Sequence, residues 1–156
     1  MRNRFNHARW WVLPLMLGMA AMPRAEKPTE TEVLGDRASL TVLVTGIRSN
    51  EGKLRFALYR TRESFTSDPM LGGAENIEER RAEWRLTNLE PGPYAVAIYH
   101  DENNDDKFNM NFLGIPTEDY GFSNNVRARL GPPSWKRVVF EVNPGTNLHH
   151  IRIRGG

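Results

Sequence analysis

The residues best suited to chemistry form one run, His100-Asp101-Glu102-Asn103-Asn104-Asp105-Asp106-Lys107-Phe108-Asn109-Met110-Asn111. Ca²⁺ is a hard cation that takes about six to eight oxygen ligands, and side-chain oxygens at alternating positions of a tight loop can converge on one point. Asp101, Asn103, Asp105 and Asn109 stand at relative positions 1, 3, 5 and 9 of an EF-type loop, with the Lys107 carbonyl at position 7. Position 6 is Asp106 instead of Gly and position 12 is Phe112 instead of Glu, so a complete EF-hand is excluded. A bound Ca²⁺ would need another carboxylate, and Glu118 and Asp119 are nearest in sequence. The same residues also read as plain turn formers, because Asp and Asn accept local backbone hydrogen bonds and tolerate positive φ.

A second run follows: Phe112-Leu113-Gly114-Ile115-Pro116-Thr117-Glu118-Asp119-Tyr120-Gly121-Phe122-Ser123-Asn124-Asn125. As a ligand loop, Tyr120 and Phe122 would supply flat apolar faces, while Glu118, Ser123, Asn124 and Asn125 would supply polar contacts. As a structural loop over the end of a sheet, Ile115, Tyr120 and Phe122 would bury and the Asn side chains would satisfy loop amides and carbonyls. Both readings stay open in the sequence.

Catalytic signatures are weak. His100, Asp101, Glu118 and Ser123 could be gathered into a hydrolytic site, but there is no Gly-x-Ser-x-Gly elbow, His-Glu-x-x-His motif or cysteine. His149 and His150 are adjacent in a strand-like segment, so their rings should point to opposite faces and cannot serve one metal. Trp84 alternates with core positions, whereas Trp135, after Pro132-Pro133, reads as exposed.

Several short alternating segments must position these runs. Leu40, Val42 and Val44 alternate with Thr41, Leu43 and Thr45, and Leu54, Phe56 and Leu58 repeat the pattern after Ser49-Asn50-Glu51-Gly52, which predicts a hairpin. Thr61 to Arg80, with Pro69 and Gly72-Gly73, reads as a long connection with one helical turn near Glu63 to Thr66. Trp84 and Leu86, a turn at Asn88 to Gly92, and Tyr94, Val96 and Ile98 mark two more strands. Val138, Phe140 and Val142 predict an inward-facing strand over Arg137 to Val142, and Leu148 to Ile153 predicts the last. No long segment has a 3.6-residue period, which favours an all-β sandwich over an α/β fold.

The first 25 residues have a basic start, an apolar run from Trp10 to Met22, and small residues near the end, the order of a secretory signal. Cleavage after Ala20 or after Ala25 fits, and the apolar run is short for a membrane span, so no stable span is expected once the signal is removed. Residues 26–37 are polar and read as a flexible lead-in to a domain over 38–154. The 156-residue chain carries 21 Lys+Arg against 19 Asp+Glu, and Arg2, Arg4, Arg9 and Arg24 all lie in the signal. The remainder has 17 against 19, which gives no reason to expect nucleic acid as a partner. Cysteine is absent, which excludes a disulfide framework and a lipid-modified N-terminal Cys.

The Pro91-Gly92-x-Tyr94-x-Val96 entry to a strand is similar to that of transthyretin-like and adhesin B-type sandwich modules. From Leu40 to Ile153, and most specifically in Gly114-Ile115-Pro116-x-Glu118-x-Tyr120-Gly121-Phe122-Ser123-Asn124-Asn125, the chain resembles the exported bacterial proteins grouped as domain-of-unknown-function family 2141. Members often carry Gly near Asn104 and Asp106 and Asp in place of Asn109, points at which this chain departs. The resemblance implies an exported, antiparallel Ig-like or transthyretin-like sandwich of about seven strands, without an assigned activity. The expected role is therefore a binding or structural module, periplasmic or secreted, with an envelope or extracellular component as partner. The expected cofactor is Ca²⁺ on Asp101, Asn103, Asp105, Asn109 and Glu118, and the expected ligand loop is Tyr120, Phe122, Ser123, Asn124 and Asn125. The competing expectation is a periplasmic small-ligand protein or hydrolase using Asp101, Glu118 and the 114–125 loop.

Overall fold

A computed structural model of the protein describes residues 37–128 and 131–153. The expected signal, 1–25, and the lead-in up to residue 36 lie outside the described residues. Nearly all regular structure is strand, in two sheets packed face to face, as the alternating segments require. The described residues form eight strands where about seven were expected.

The first sheet is built from β1 (Ala38–Thr45), β4 (Arg81–Leu89) and β8 (Gly145–Arg152), in the order β4-β1-β8. The second holds β2 (Lys53–Tyr59), β3 (Leu71–Asn76), β5 (Gly92–Asp101) and β6 (Tyr120–Phe122), in the order β3-β2-β5-β6. β7 (Phe140–Val142) joins the Gly92 to Tyr94 end of β5. All pairs are antiparallel except β1 with β8, which run parallel with Ala38 opposite Gly145 and Thr45 opposite Arg152.

The expected β1–β2 hairpin is not formed. β1 pairs with β4 and β8, whereas β2 pairs with β3 and β5. Gly46 and Ile47 precede the Ser49 to Gly52 turn, and the buried Ile47 carries the chain across the core from one sheet to the other. Leu40, Val42 and Val44 therefore meet Leu54, Phe56 and Leu58 within one apolar cluster instead of lying beside them. Ile98, Ile151 and Ile153 belong to the same core. Burial of such side chains is worth about 1.5 to 3 kcal/mol each, and it fixes which face of every strand turns inward.

Two further expectations are corrected. The Thr61 to Arg80 connection contains a strand, β3, whose sequence Leu-Gly-Gly-Ala-Glu-Asn has no alternating apolar side chains. Its ladder with β2 and the room it leaves for Trp84 hold it in place: a Cβ on Gly73 would lie 2.7 Å from Trp84 Nε1. The helical turn is present as tight hydrogen-bonded turns spanning Arg62 to Asp68. Farther on, Trp135–Val138 forms a short helix, α1, and only Phe140–Val142 is strand. The helix turns Val138 and Trp135 toward a second apolar cluster, which a strand would have separated.

That second cluster lies on the outer face of the second sheet. Tyr94, Val96 and Ile98 point into the main core, so Ala95 and Ala97 point out. These small side chains let Phe122, Val138, Phe65 and Trp135 cover the sheet closely. Tyr59, Phe65, Phe122, Tyr120, Phe108 and Tyr99 form a continuous chain of tilted or edge-to-face aromatic contacts across it, with centroid separations of 5.2 to 6.1 Å. Among the described residues, no helix is long and apolar enough to cross a membrane.

Candidate functional site

The acidic loop leaves the end of β5, where Asp101 is fully buried. Its two carboxylate oxygens accept the amides of Asp105 and Asp106 at 3.1 Å each, and Arg55 Nε donates to Oδ2 at 3.0 Å. Asn103 Oδ1 accepts the Asp105 amide at 3.2 Å, and Asp105 Oδ1 accepts the Lys107 amide at 2.9 Å. Asn109 Nδ2 donates to the other Asp105 oxygen at 3.0 Å, which holds that carboxyl below the ordinary aspartate range. The Asn109 amide donates to Glu118 Oε2 at 2.9 Å. The five expected metal residues, Asp101, Asn103, Asp105, Asn109 and Glu118, thus lie in one hydrogen-bonded neighbourhood.

Their oxygens are directed mainly at loop amides. Among the described residues, no group of three His, Asp or Glu side chains converges as a metal set. Asn104 and Asp106 have φ of 55° and 64°, the left-handed region that Asn and Asp tolerate. The burial of Glu118 raises its carboxyl above the ordinary value, and the charges of Asp101 and Asp105 add to the effect. Asn109 Oδ1 is buried without a donor.

Two residues that the sequence did not single out complete this end of the fold. Arg55, on the outer face of β2, pairs with both Asp101 and Asp106. Arg48 Nε donates to the buried Asp119 carboxylate at 2.6 Å, while the Asp119 carbonyl accepts the His100 amide at 2.8 Å. An arginine inside an alternating strand is the available signal for Arg55. Its partner depends on the β2–β5 register, which places it opposite Tyr99 and next to Asp101.

His100 is buried and donates through Nε2 to the Glu51 carbonyl at 2.7 Å. Ser123 Oγ is also buried; it accepts the Val96 amide at 3.1 Å and donates to the Val138 carbonyl at 2.5 Å. Ser123 and His100 thus meet backbone groups, and no hydrogen bond links the two side chains.

The Gly121 to Asn125 string closes the open side of the sandwich. A Cβ on Gly121 would lie 3.0 Å from Ile153 Cγ2 and 3.3 Å from Ile151 Cγ2, so glycine here lets β6 approach the core under β8. Ser123–Asn125 then forms a 3₁₀ turn with Asn124 and Asn125 at φ of 59° and 54°. Asn124 Nδ2 donates to the carbonyls of Arg137 and Val139 at 3.1 and 2.9 Å. Asn125 Oδ1 accepts the Arg152 amide at 2.7 Å and its Nδ2 donates to the His150 carbonyl at 3.3 Å.

Of the expected ligand-loop residues, Ser123, Asn124 and Asn125 spend their polar groups on the scaffold, while Tyr120 and Phe122, with Asn125 beside them, line a cleft. This cleft, of about 240 Å³, lies beside β6 and the end of β8, and Val126, Arg127 and Arg152 also form part of its wall. Arg127 and Arg152 escaped the sequence reading because they lie outside both chemistry-bearing runs.

Ile115, expected to anchor the loop, is exposed, as are Met110, Phe112 and Leu113. Asn111 Oδ1 accepts the amides of Leu113 and Ile115 at 2.9 and 3.0 Å, which folds this stretch into a tight projecting tip. Trp135, expected to be exposed, is half-buried with its ring 5.9 Å from that of Phe65. His149 stacks on Phe140 at 3.8 Å, and His150 meets Thr45 Oγ1 at 2.8 Å. Burial lowers the His149 pKa, with His150 adding to the shift.

A family model described as "Uncharacterized protein conserved in bacteria (DUF2141)" matches residues 42–149. No curated protein and no solved structure matches the chain.

Proposed function

The chain belongs to the DUF2141 family of uncharacterised bacterial proteins, and from that premise we propose that it is an exported, non-catalytic binding module holding a small ligand in the cleft beside β6 and β8. The carrying observation is the cleft at the sheet edge, which Tyr120, Phe122, Arg127 and Arg152 line together. The basic, apolar and small-residue order of residues 1–25 supports export, and the module acts in the periplasm or outside the cell on an envelope or extracellular component. Native mass spectrometry of protein taken gently from an exporting host tests the reading. A bound small molecule is expected in the parent and is lost in a Val126→Trp variant that fills the cleft yet melts cooperatively. Retention of the molecule by that variant, or an empty parent that responds to no compound of a broad library, refutes it.

A second reading is favoured by the backbone at Asp106. Its φ of 64° supplies the sharp turn that a Ca²⁺ loop needs at position 6, where Gly is the usual residue. On this reading Asp101, Asn103, Asp105, Asn109 and Glu118 hold Ca²⁺, and the orphaned Asn109 Oδ1 gains a partner. Ca²⁺ at about 100 times its dissociation constant would stabilise the fold by about 2.7 kcal/mol. A melting midpoint higher in CaCl₂ than in EGTA for the parent, but not for Asp105→Ala, supports this reading; an unmoved midpoint in the parent removes it.

A further inference from the structure

We propose that the β6–β8 cleft is an anion subsite for a small molecule that carries one carboxylate or phosphate on a flat apolar body. This rests on the reading of the cleft as the ligand site and adds the chemical class of its occupant.

Arg127 and Arg152 both line the cleft, and among the described residues no Asp or Glu does. The ion pairs among the described residues take up Arg37, Arg48, Arg55, Arg60 and Arg85, and neither cleft arginine figures in them. An anion in the cleft that accepts from both arginines gains charge-assisted hydrogen bonds. The Asn125 side chain fixes the backbone on both sides of Ile151, so the stem of Arg152 starts from a held position.

Tyr120, Phe122 and Val126 give the same cleft an apolar wall. Tyr120 and Phe122 brace each other edge to face at 6.0 Å, which keeps their rings from collapsing into the space. A volume of about 240 Å³ is well above what a single water needs and suits one ring bearing a charged group.

Phenyl phosphate, inorganic phosphate and benzyl alcohol separate the two halves of this chemistry, and vesicles of phosphatidylglycerol separate a free ligand from a lipid headgroup. Binding to the purified protein is read by amide shifts of Arg127, Arg152 and Tyr120 in NMR titrations up to about 10 mM. Phenyl phosphate is expected to saturate, with inorganic phosphate and benzyl alcohol each at least about tenfold weaker. Arg127→Gln and Arg152→Gln should each weaken phenyl phosphate by about tenfold or more while leaving the melting transition cooperative. Vesicles that shift the same amides while phenyl phosphate does not would support the anion subsite with a lipid as its source. Benzyl alcohol binding as tightly as phenyl phosphate, with no response to either substitution, overturns the anion assignment and leaves the cleft as a ligand site. Failure of every probe to move these amides overturns the assignment and the cleft reading together.

Discussion

Asn125 acts toward Arg152 as a strand residue would, with its side chain replacing a backbone: Oδ1 accepts the Arg152 amide at 2.7 Å and Nδ2 donates to the His150 carbonyl at 3.3 Å. β8 is an edge strand of its sheet, and this pairing satisfies part of its open edge while tying it to β6 in the other sheet. Asn125→Ala removes both hydrogen bonds and places alanine at a φ of 54°, for an expected loss of about 2 kcal/mol in urea denaturation. Asn125→Gly keeps the backbone conformation and should lose less than Asn125→Ala. Equal stability of the parent and both variants would show that the seam does not depend on this side chain.

Gly73 and Trp84 set the contact on the opposite side of the sandwich. Gly73→Ala drives a methyl to 2.7 Å from the buried indole nitrogen, and a rigid ring packed on Phe56 at 5.1 Å has little room to retreat. The expected cost is about 1 to 3 kcal/mol with a red-shifted tryptophan emission. Trp84→Phe in the same chain should recover part of the loss from Gly73→Ala.

Arg55 supplies the positive charge beside the buried Asp101 carboxylate. Arg55→Met leaves that carboxylate with only two amide donors, at an expected cost of about 2 to 3 kcal/mol, since the guanidinium is partly exposed. Amide exchange should accelerate at Asp105 and Asp106 in this variant, and unchanged exchange there would refute the coupling.

Glu118 makes stability depend on pH. Burial raises its carboxyl above 4.5, so the folded chain keeps the proton to higher pH than the unfolded chain does. Below 4.5 both states are protonated and the group contributes no pH dependence. As pH climbs from 4.5 through the folded value, the unfolded state ionises first and stability falls, then levels. Glu118→Gln should flatten that decline in a series of urea titrations, and an identical profile would show that the carboxyl is not destabilised.

Export has a direct test in the mature N-terminus. Protein recovered from the periplasm of a bacterial host should begin at Ala21 or Glu26, by mass spectrometry. A full-length chain retained in the cytoplasm would refute export.

Alternation made β1, β2, β4, β5 and β8 legible, because a half-buried strand writes its buried face into every second residue. It could not say which strands are neighbours, so β1 and β2 read as a hairpin although they face each other across the core. β3 was invisible because its position comes from its partner and from Trp84. The acidic run was visible as a cluster, but Arg55, 46 residues before Asp101, is joined to it by strand register alone. Ser123 and Asn124 show the same limit. A polar side chain has the same identity whether it meets a ligand or a neighbouring carbonyl, and only the folded chain separates the two.

The parallel pairing of β1 with β8 joins Ala38 to Gly145 and every following residue to one about as distant. Closing a loop of this length costs entropy before any contact within it is gained, so high contact order should make this domain slow to fold. A fragment that stops before Gly145 has no partner for that edge of β1. Refolding should therefore be limited by arrival of the last strand, and deletion of Gly145 to Ile153 should leave a chain that collapses without completing either the first sheet or the core beneath it.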